Sequence, residues 1–124
     1  MVTVEMLKRF PLLAYLSVED LGELAEICKI ERRSPGEVFA CEGDPADRLR
    51  LLLTGKAALD KRIQLGRHGT VRRANVSVIG PGDAVGWSTV VAPYRFTLTG
   101  ICLEPCTFIA IEAEPLREFM LHNP

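Results

Sequence analysis

The residues of this chain best placed to do chemistry lie together in Gly80-Pro-Gly-Asp-Ala-Val-Gly-Trp-Ser-Thr-Val-Val-Ala-Pro-Tyr-Arg-Phe-Thr97. A glycine-rich turn leaves room for one short helical turn, and a single arginine, Arg95, then opens a strand-like run. Bare backbone N–H groups on one side and a guanidinium fork on the other suit a phosphate or a similar anion. Gly86 brings the conformational freedom such a turn needs, with an ordinary turn glycine as the equal alternative. Ser88 and Thr89 can cap the short turn, and their hydroxyls can donate to an anion. Arg95 matches paired N–H groups to paired oxygens. Its alternative is an edge arginine with its stem along Tyr94 or Phe96 and its head in water. Thr97 adds an N–H and a hydroxyl. Trp87, the only tryptophan, sits badly in this set, because an indole donates one hydrogen bond and accepts none.

Other chemistries lack their residues. Cys28, Cys41, Cys102 and Cys106 stand in apolar contexts and read as small buried hydrophobes of a reducing compartment. Cys102 and Cys106 form a C-x3-C pair, but a metal site needs about four ligands and no His or further Cys is close. The two histidines, His68 and His122, are too few for a metal-binding jelly roll. Ser88 has no neighbouring His and no nucleophile elbow surrounds it, so neither metal, cofactor nor catalysis is expected. The run from Lys61 to Arg73 carries five lysines and arginines and no acid. It reads as a solvated hairpin whose charged edges block strand-to-strand aggregation, with a local anion-binding patch as the alternative.

These residues need a scaffold, and the bulk numbers allow one. At 124 residues the chain is one domain, and 48% hydrophobic with 25% charged residues is the balance of an ordinary folded protein. A net charge of −1 argues against a dedicated nucleic-acid binder. No apolar run approaches the roughly 20 residues that cross a bilayer, and the N-terminus lacks a signal-peptide core. No membrane association and a cytoplasmic location are therefore expected.

Val4–Phe10 reads as a short helix closed by Pro11. Ser17-Val-Glu-Asp20 has the form of a capping box, and Leu21, Leu24, Ala25 and Cys28 follow at helical spacing, which predicts a helix over Val18–Cys28. Turn signals at Ser34–Gly36, Glu42–Pro45, Thr54-Gly55, Gly66–Gly69 and Gly80–Asp83 then separate short runs. Strands are predicted at Lys29–Arg33, Val38–Ala40, Arg48–Leu53, Lys56–Arg62, Val71–Ile79, Arg95–Leu103 and Thr107–Glu112. Ala113–His122 returns to helical spacing. Strands joined by turns without intervening helices imply a mainly β, double-sheet roll of jelly-roll type, with the helices grouped at its end. The single domain, residues 1–124, divides into helices over 4–28, a roll over 29–112 and a C-terminal helix over 113–122.

The order and spacing of several segments carry a resemblance. They are Leu7–Leu24, Pro35-Gly-Glu-Val-Phe39, Glu42-Gly-Asp-Pro-Ala-Asp-Arg-Leu49, Leu51-Leu-Leu-Thr-Gly55 and Gly80-Pro-Gly-Asp-Ala-Val-Gly86. Together they resemble the cyclic-nucleotide-binding domain family, in particular the sensor domain of catabolite-activator/FNR-type bacterial regulators. That resemblance implies a phosphate-binding cassette built from a Phe-Gly-Glu start, a short helical turn and an Arg-x-Ala end. Here the corresponding residues are Val85-Gly86-Trp87, Ser88–Val91 and Arg95-Phe96-Thr97. Gly86 keeps the pattern, and Arg95 keeps it with a one-residue shift in loop length. Trp87 replaces the glutamate that accepts hydrogen bonds from the ribose. Losing a charge-assisted bond of about 1.5–3 kcal/mol weakens a cyclic nucleotide roughly 10- to 150-fold.

The resemblance thus implies a non-enzymatic sensor that binds cyclic AMP, cyclic GMP or another small anionic ligand. Gly86, Trp87, Ser88, Thr89, Arg95 and Thr97 would hold it, and the C-terminal helix would then move. The alternative is a cassette that has lost its ligand, with Trp87 serving a homodimer or partner surface. No helix-turn-helix follows before Pro124, so no direct DNA binding by this chain is expected.

Overall fold

Three consecutive leucines, Leu51, Leu52 and Leu53, cannot share one side of a strand, so β3 (Arg48–Thr54) has to be covered on both faces. A computed structural model describes residues 1–64, 66, 69 and 71–122 and shows how this is done. The chain runs α1 (Val4–Leu7), a 3-10 turn (Pro11–Leu13), α2 (Val18–Glu26), β1 (Cys28–Arg33), β2 (Val38–Ala40), β3, β4 (Ala57–Gln64) and β5 (Val71–Ile79). It continues through β6 (Ala84–Val85), a 3-10 turn (Trp87–Thr89), β7 (Thr99–Cys102), β8 (Cys106–Glu112) and α3 (Ala113–His122). Two antiparallel four-stranded sheets form, in the orders β1-β8-β3-β6 and β2-β7-β4-β5.

Alternation along β3 then sorts its side chains. Leu49 and Leu51 meet the helices through Leu7, Leu24 and Leu116, with Ile109 and Ile111 of β8 beside them. Leu52 points between the sheets at Phe39, Ala57 and Phe108. Each fully buried leucine contributes about 2 kcal/mol. The helices therefore lie over the outer face of the first sheet rather than at an end of the roll. Ser17 begins α2 as its spacing predicts, with Oγ accepting from the Asp20 N–H at 3.1 Å.

Several boundaries differ from the sequence expectation, three of them for a reason visible in the fold. The first helix stops at Leu7, and Pro11 opens a 3-10 turn of its own instead of closing that helix. The second helix ends at Glu26, because Cys28 already pairs with Ile111 in the sheet. The expected strand Arg95–Leu103 shrinks to Thr99–Cys102, since the ladder with β4 ends at the Asp60–Thr99 pair. Arg95 instead makes an isolated bridge to Pro45. Cys41 is exposed, whereas Cys28, Cys102 and Cys106 are buried as expected. Burial pushes the Cys28 thiol up to about 12, and burial with the Cys106 thiol alongside does the same for Cys102. Arg67 and His68 of the basic run lie outside the described residues.

One polar cluster sits inside the roll. Arg50, only 3% exposed, donates from Nε to Glu31 Oε2 at 2.7 Å. Arg48 Nη1 donates to Glu31 Oε1 at 3.0 Å, and Arg33 Nε lies 3.4 Å from Oε2. Burial works to raise the Glu31 pKa, but the Arg50 hydrogen bond and the charges of Arg50, Arg33 and Arg48 outweigh it and hold the carboxyl below 4.5. The folded carboxyl thus binds its proton less tightly than the unfolded one. Its contribution is full above the ordinary 4.5 and is lost as pH falls through the lower folded value. Glu31→Gln should cost about 3 kcal/mol at neutral pH, because Arg50 is left buried without its counter-charge. The variant should also lose less stability than wild type on acidification. Urea titrations at neutral and acidic pH check both, and an equal loss in the two proteins would refute the assignment.

Candidate functional site

The segment Gly80–Thr97 leaves the sheet through β6, which pairs Val85 with Arg50 and Ala84 with Leu51. Gly86 then turns with φ +94, in the left-handed region, and starts the 3-10 turn Trp87–Thr89. A Cβ at Gly86 would stand 2.8 Å from the Arg48 carbonyl oxygen and 3.4 Å from Leu49 Cα. Glycine is thus needed here for the turn and for close approach to β3. The exit of the segment is fastened by backbone bonds to the turn after β2. The Gly43 N–H donates to the Phe96 carbonyl at 2.8 Å, the Ala46 N–H to Tyr94 at 2.8 Å, and the Phe96 N–H to Asp44 at 2.9 Å.

Between these two ends lies a cleft of about 160 Å³, bordered by Phe39, Leu59, Val85, Gly86, Phe96 and Gly100 among others. Of the sequence candidates, Gly86, Trp87, Ser88 and Thr97 line it. Thr89 and Arg95 do not. Thr89 is fully buried, and its Oγ1 has no hydrogen-bond partner among the described residues. Arg95 is exposed, and its Nη1 donates to the Gly43 carbonyl at 2.8 Å, leaving most of its five N–H donors uncommitted to other described residues. Trp87 is 46% exposed and borders both this cleft and an apolar groove under α3, where Leu16, Leu24 and Met120 also lie.

Several site residues escape a reading of the sequence. Gly100 lies under the Phe39 ring, and a Cβ there would run into Phe39 Cζ, so this glycine lets the ring form part of the cleft wall. A glycine inside a strand run is the signal that marks such a close approach. Lys61 Nζ sits 3.2 Å from the Thr97 carbonyl and 2.9 Å from Glu42 Oε2, which brings a charge pair beside the cleft-lining Thr97. The Glu42 carboxyl also accepts from the Arg62 N–H at 2.8 Å; that bond, then Lys61, holds its pKa below the ordinary carboxylate value. Arg117 of α3 reaches the segment from the other side. Its Nε donates to the Thr89 carbonyl at 2.9 Å while its guanidinium lies 4.1 Å from the Tyr94 ring centroid.

The sequence pattern of the cyclic nucleotide-binding domain matches residues 30–123. The chain belongs to the cyclic nucleotide-binding domain family. The match takes in the roll from β1 onward and α3. Over 89 residues the domain is 24% identical to a CRP-like cAMP-activated global transcriptional regulator of Mycobacterium tuberculosis, covering 72% of this chain and 38% of that relative's length. It is also similar to a solved protein of Geobacter metallireducens assigned to cyclic nucleotide binding (TM-score 0.85, 28% identity, 99% of this chain and 85% of that one). The N-terminal domain of a transcriptional regulator from Streptomyces coelicolor gives a TM-score of 0.76 at 28% identity, over 96% of this chain and 81% of that one. The regulatory domain of Toxoplasma gondii PKA, solved with cAMP, shares the fold (TM-score 0.84, 18% identity, 94% of this chain and 43% of that one). No described helix is long and apolar enough to cross a membrane, and no three described His, Cys, Asp or Glu residues are grouped to hold a metal.

Gly86→Ala should destabilise this domain by about 2 kcal/mol or more, since it adds left-handed strain of about 1–2 kcal/mol to a backbone clash. A urea titration yielding a loss within about 0.5 kcal/mol, the range of an ordinary surface change, would refute the close-approach reading.

Proposed function

We propose that this domain is a non-enzymatic effector sensor that takes a cyclic nucleotide or another small anionic ligand in the cassette cleft and answers through α3. The observation that carries this reading is the cleft itself. Its walls are ring and aliphatic surface from Phe39, Leu59, Val85 and Phe96, suited to the flat apolar part of a ligand. Ser88 and Thr97 add polar groups on that wall, and Arg95, the cassette's cation, stands outside the lining and would meet a ligand by turning from the Gly43 carbonyl. No carboxylate among the described residues lines the cleft, and Trp87 stands where the family's pattern carries the ribose acceptor. Affinity for a cyclic nucleotide is therefore expected to be weak. A response through α3 requires only that the ligand favour one helix position over another. Arg117, bonded to Thr89 and stacked on Tyr94, is the contact through which that preference would act.

Calorimetry with cyclic AMP and cyclic GMP at millimolar concentration tests the reading. Saturable heat is expected with at least one nucleotide, weakened about 10-fold or more by Arg95→Ala as a charge-assisted contact is lost. No heat from either nucleotide, or heat indifferent to Arg95→Ala, would overturn it.

A second reading is favoured by the exposure of Trp87 on the same groove as exposed Leu12 and Met120. In it the cassette holds no nucleotide and this apolar rim is the contact of a homodimer. Sedimentation equilibrium would then show a dimer that Trp87→Ala shifts toward monomer. A monomer throughout, or a dimer unchanged by the substitution, would remove this reading.

A further inference from the structure

Strand β5 forms one edge of the second sheet, which runs β2-β7-β4-β5. It is nine residues long, Val71-Arg-Arg-Ala-Asn-Val-Ser-Val-Ile79, with neither proline nor acid, and is exposed along nearly its whole length. Apart from the bulge at Val76 and the Ser77 carbonyl, which accepts from Asn75 Nδ2 at 3.2 Å, an edge of this kind presents backbone N–H and C=O groups at the repeat of a strand. Its charges are arranged against the stability of the hairpin. Arg62 of β4 stands directly opposite Arg73 of β5, and Arg72 stands opposite Ile63. Like charges in directly opposed positions repel, and no described acid forms a close ion pair with Arg62, Arg72 or Arg73, the Glu42 carboxylate acting on the Arg62 charge only at longer range. The nearby carboxylates are committed elsewhere. Glu42 holds Lys61 and the Arg62 N–H, and Asp60 Oδ1 accepts from Asn75 Nδ2 at 3.1 Å. Further along the same edge Val71, Val76 and Val78 are 49%, 57% and 52% exposed.

Charged edges that only prevent aggregation require no like-charge pair and no row of bare valines. We propose that the β5 edge is a docking site for an extended acidic segment of a partner protein, which adds as a further strand. Its carboxylates would lie beside Arg72 and Arg73, on the two faces of β5, and one beside Arg73 would offset the repulsion that Arg62 exerts on it across the ladder. Its apolar residues would lie beside Val76 and Val78. A nucleic acid also supplies anions, but its backbone has no donors and acceptors at the strand repeat and nothing apolar to cover the valines. A second copy of this chain would bring the same arginines rather than acids. The site lies outside the cassette cleft, so the proposal stands independently of what that cleft binds.

A fluorescently labelled, capped peptide of alternating Glu and Val is the probe, followed by anisotropy at low salt. Saturable binding is expected, weakened about 10-fold or more when salt is raised to about 0.5 M, where screening shortens to a few ångströms. The Arg62→Glu/Arg73→Glu variant, which keeps a like-charge pair, should bind about 10-fold or more weakly, whereas Arg95→Ala should bind as wild type. Hydrogen exchange should slow at alternate β5 amides in the complex. Should the charge-reversed protein fail to fold, Arg62→Gln/Arg73→Gln provides the same comparison and should melt at a higher temperature than wild type. Absence of binding, binding indifferent to the arginine substitutions, or tighter binding of a DNA duplex through the same arginines would each overturn the proposal.

Discussion

The contact between Glu31 and Arg50 is the constraint on which the arrangement of the roll rests. In the first sheet β8 lies between β1 and β3, so this pair ties strands that do not hydrogen-bond to each other. Arg50 also lies over the Phe39 ring of β2, 5.4 Å from its centroid, and Phe39 meets Phe108 of β8 at 4.8 Å. One buried guanidinium thereby spans both sheets. A charge in that place is tolerated because the carboxylate and the ring take over much of what water would supply. The backbone of the same arginine pairs with Val85, the residue before the cassette glycine. The start of the cassette and a wall of the cleft, Phe39, are thus both set by one residue of β3.

From that start the cassette is held at three places. β6 and Gly86 lie against β3, the exit near Phe96 is laced to the turn at Gly43–Ala46, and Arg117 grips the middle from α3. Only the third of these belongs to an element outside the roll. The first two fasten the segment to the sheets, and the third fastens it to α3.

Much of this was open to a reader of the sequence, because it depends on local patterns. Turn glycines and short β-branched runs placed most strands, Ser17 marked the start of α2, and the helical spacing from Ala113 gave α3 its observed limits. What stayed hidden depends on pairing across distant strands. Glu31 and Arg50 look like ordinary strand charges until the order β1-β8-β3 brings them together. The two-residue β6 is too short to show a period. Arg95–Leu98 carries strand-forming residues, but its backbone is claimed by the turn at Gly43–Ala46, which no local propensity reveals. Thr89 and Arg95 stand in the cassette by sequence, yet one is sealed in the interior and the other is turned toward Gly43. The family resemblance carries the order of residues, and the direction of each side chain is set afterwards by packing.

Arg117 meets Thr89 through the edge of its guanidinium plane and Tyr94 across the ring face. Those two contacts constrain one rigid planar group in perpendicular directions. A small slide or roll of α3 spoils the in-plane bond or the stacking, and neither can be kept for long by adjusting the other. Displacing α3 therefore costs both contacts together, and what they hold is the position of the helix against the Thr89–Tyr94 stretch.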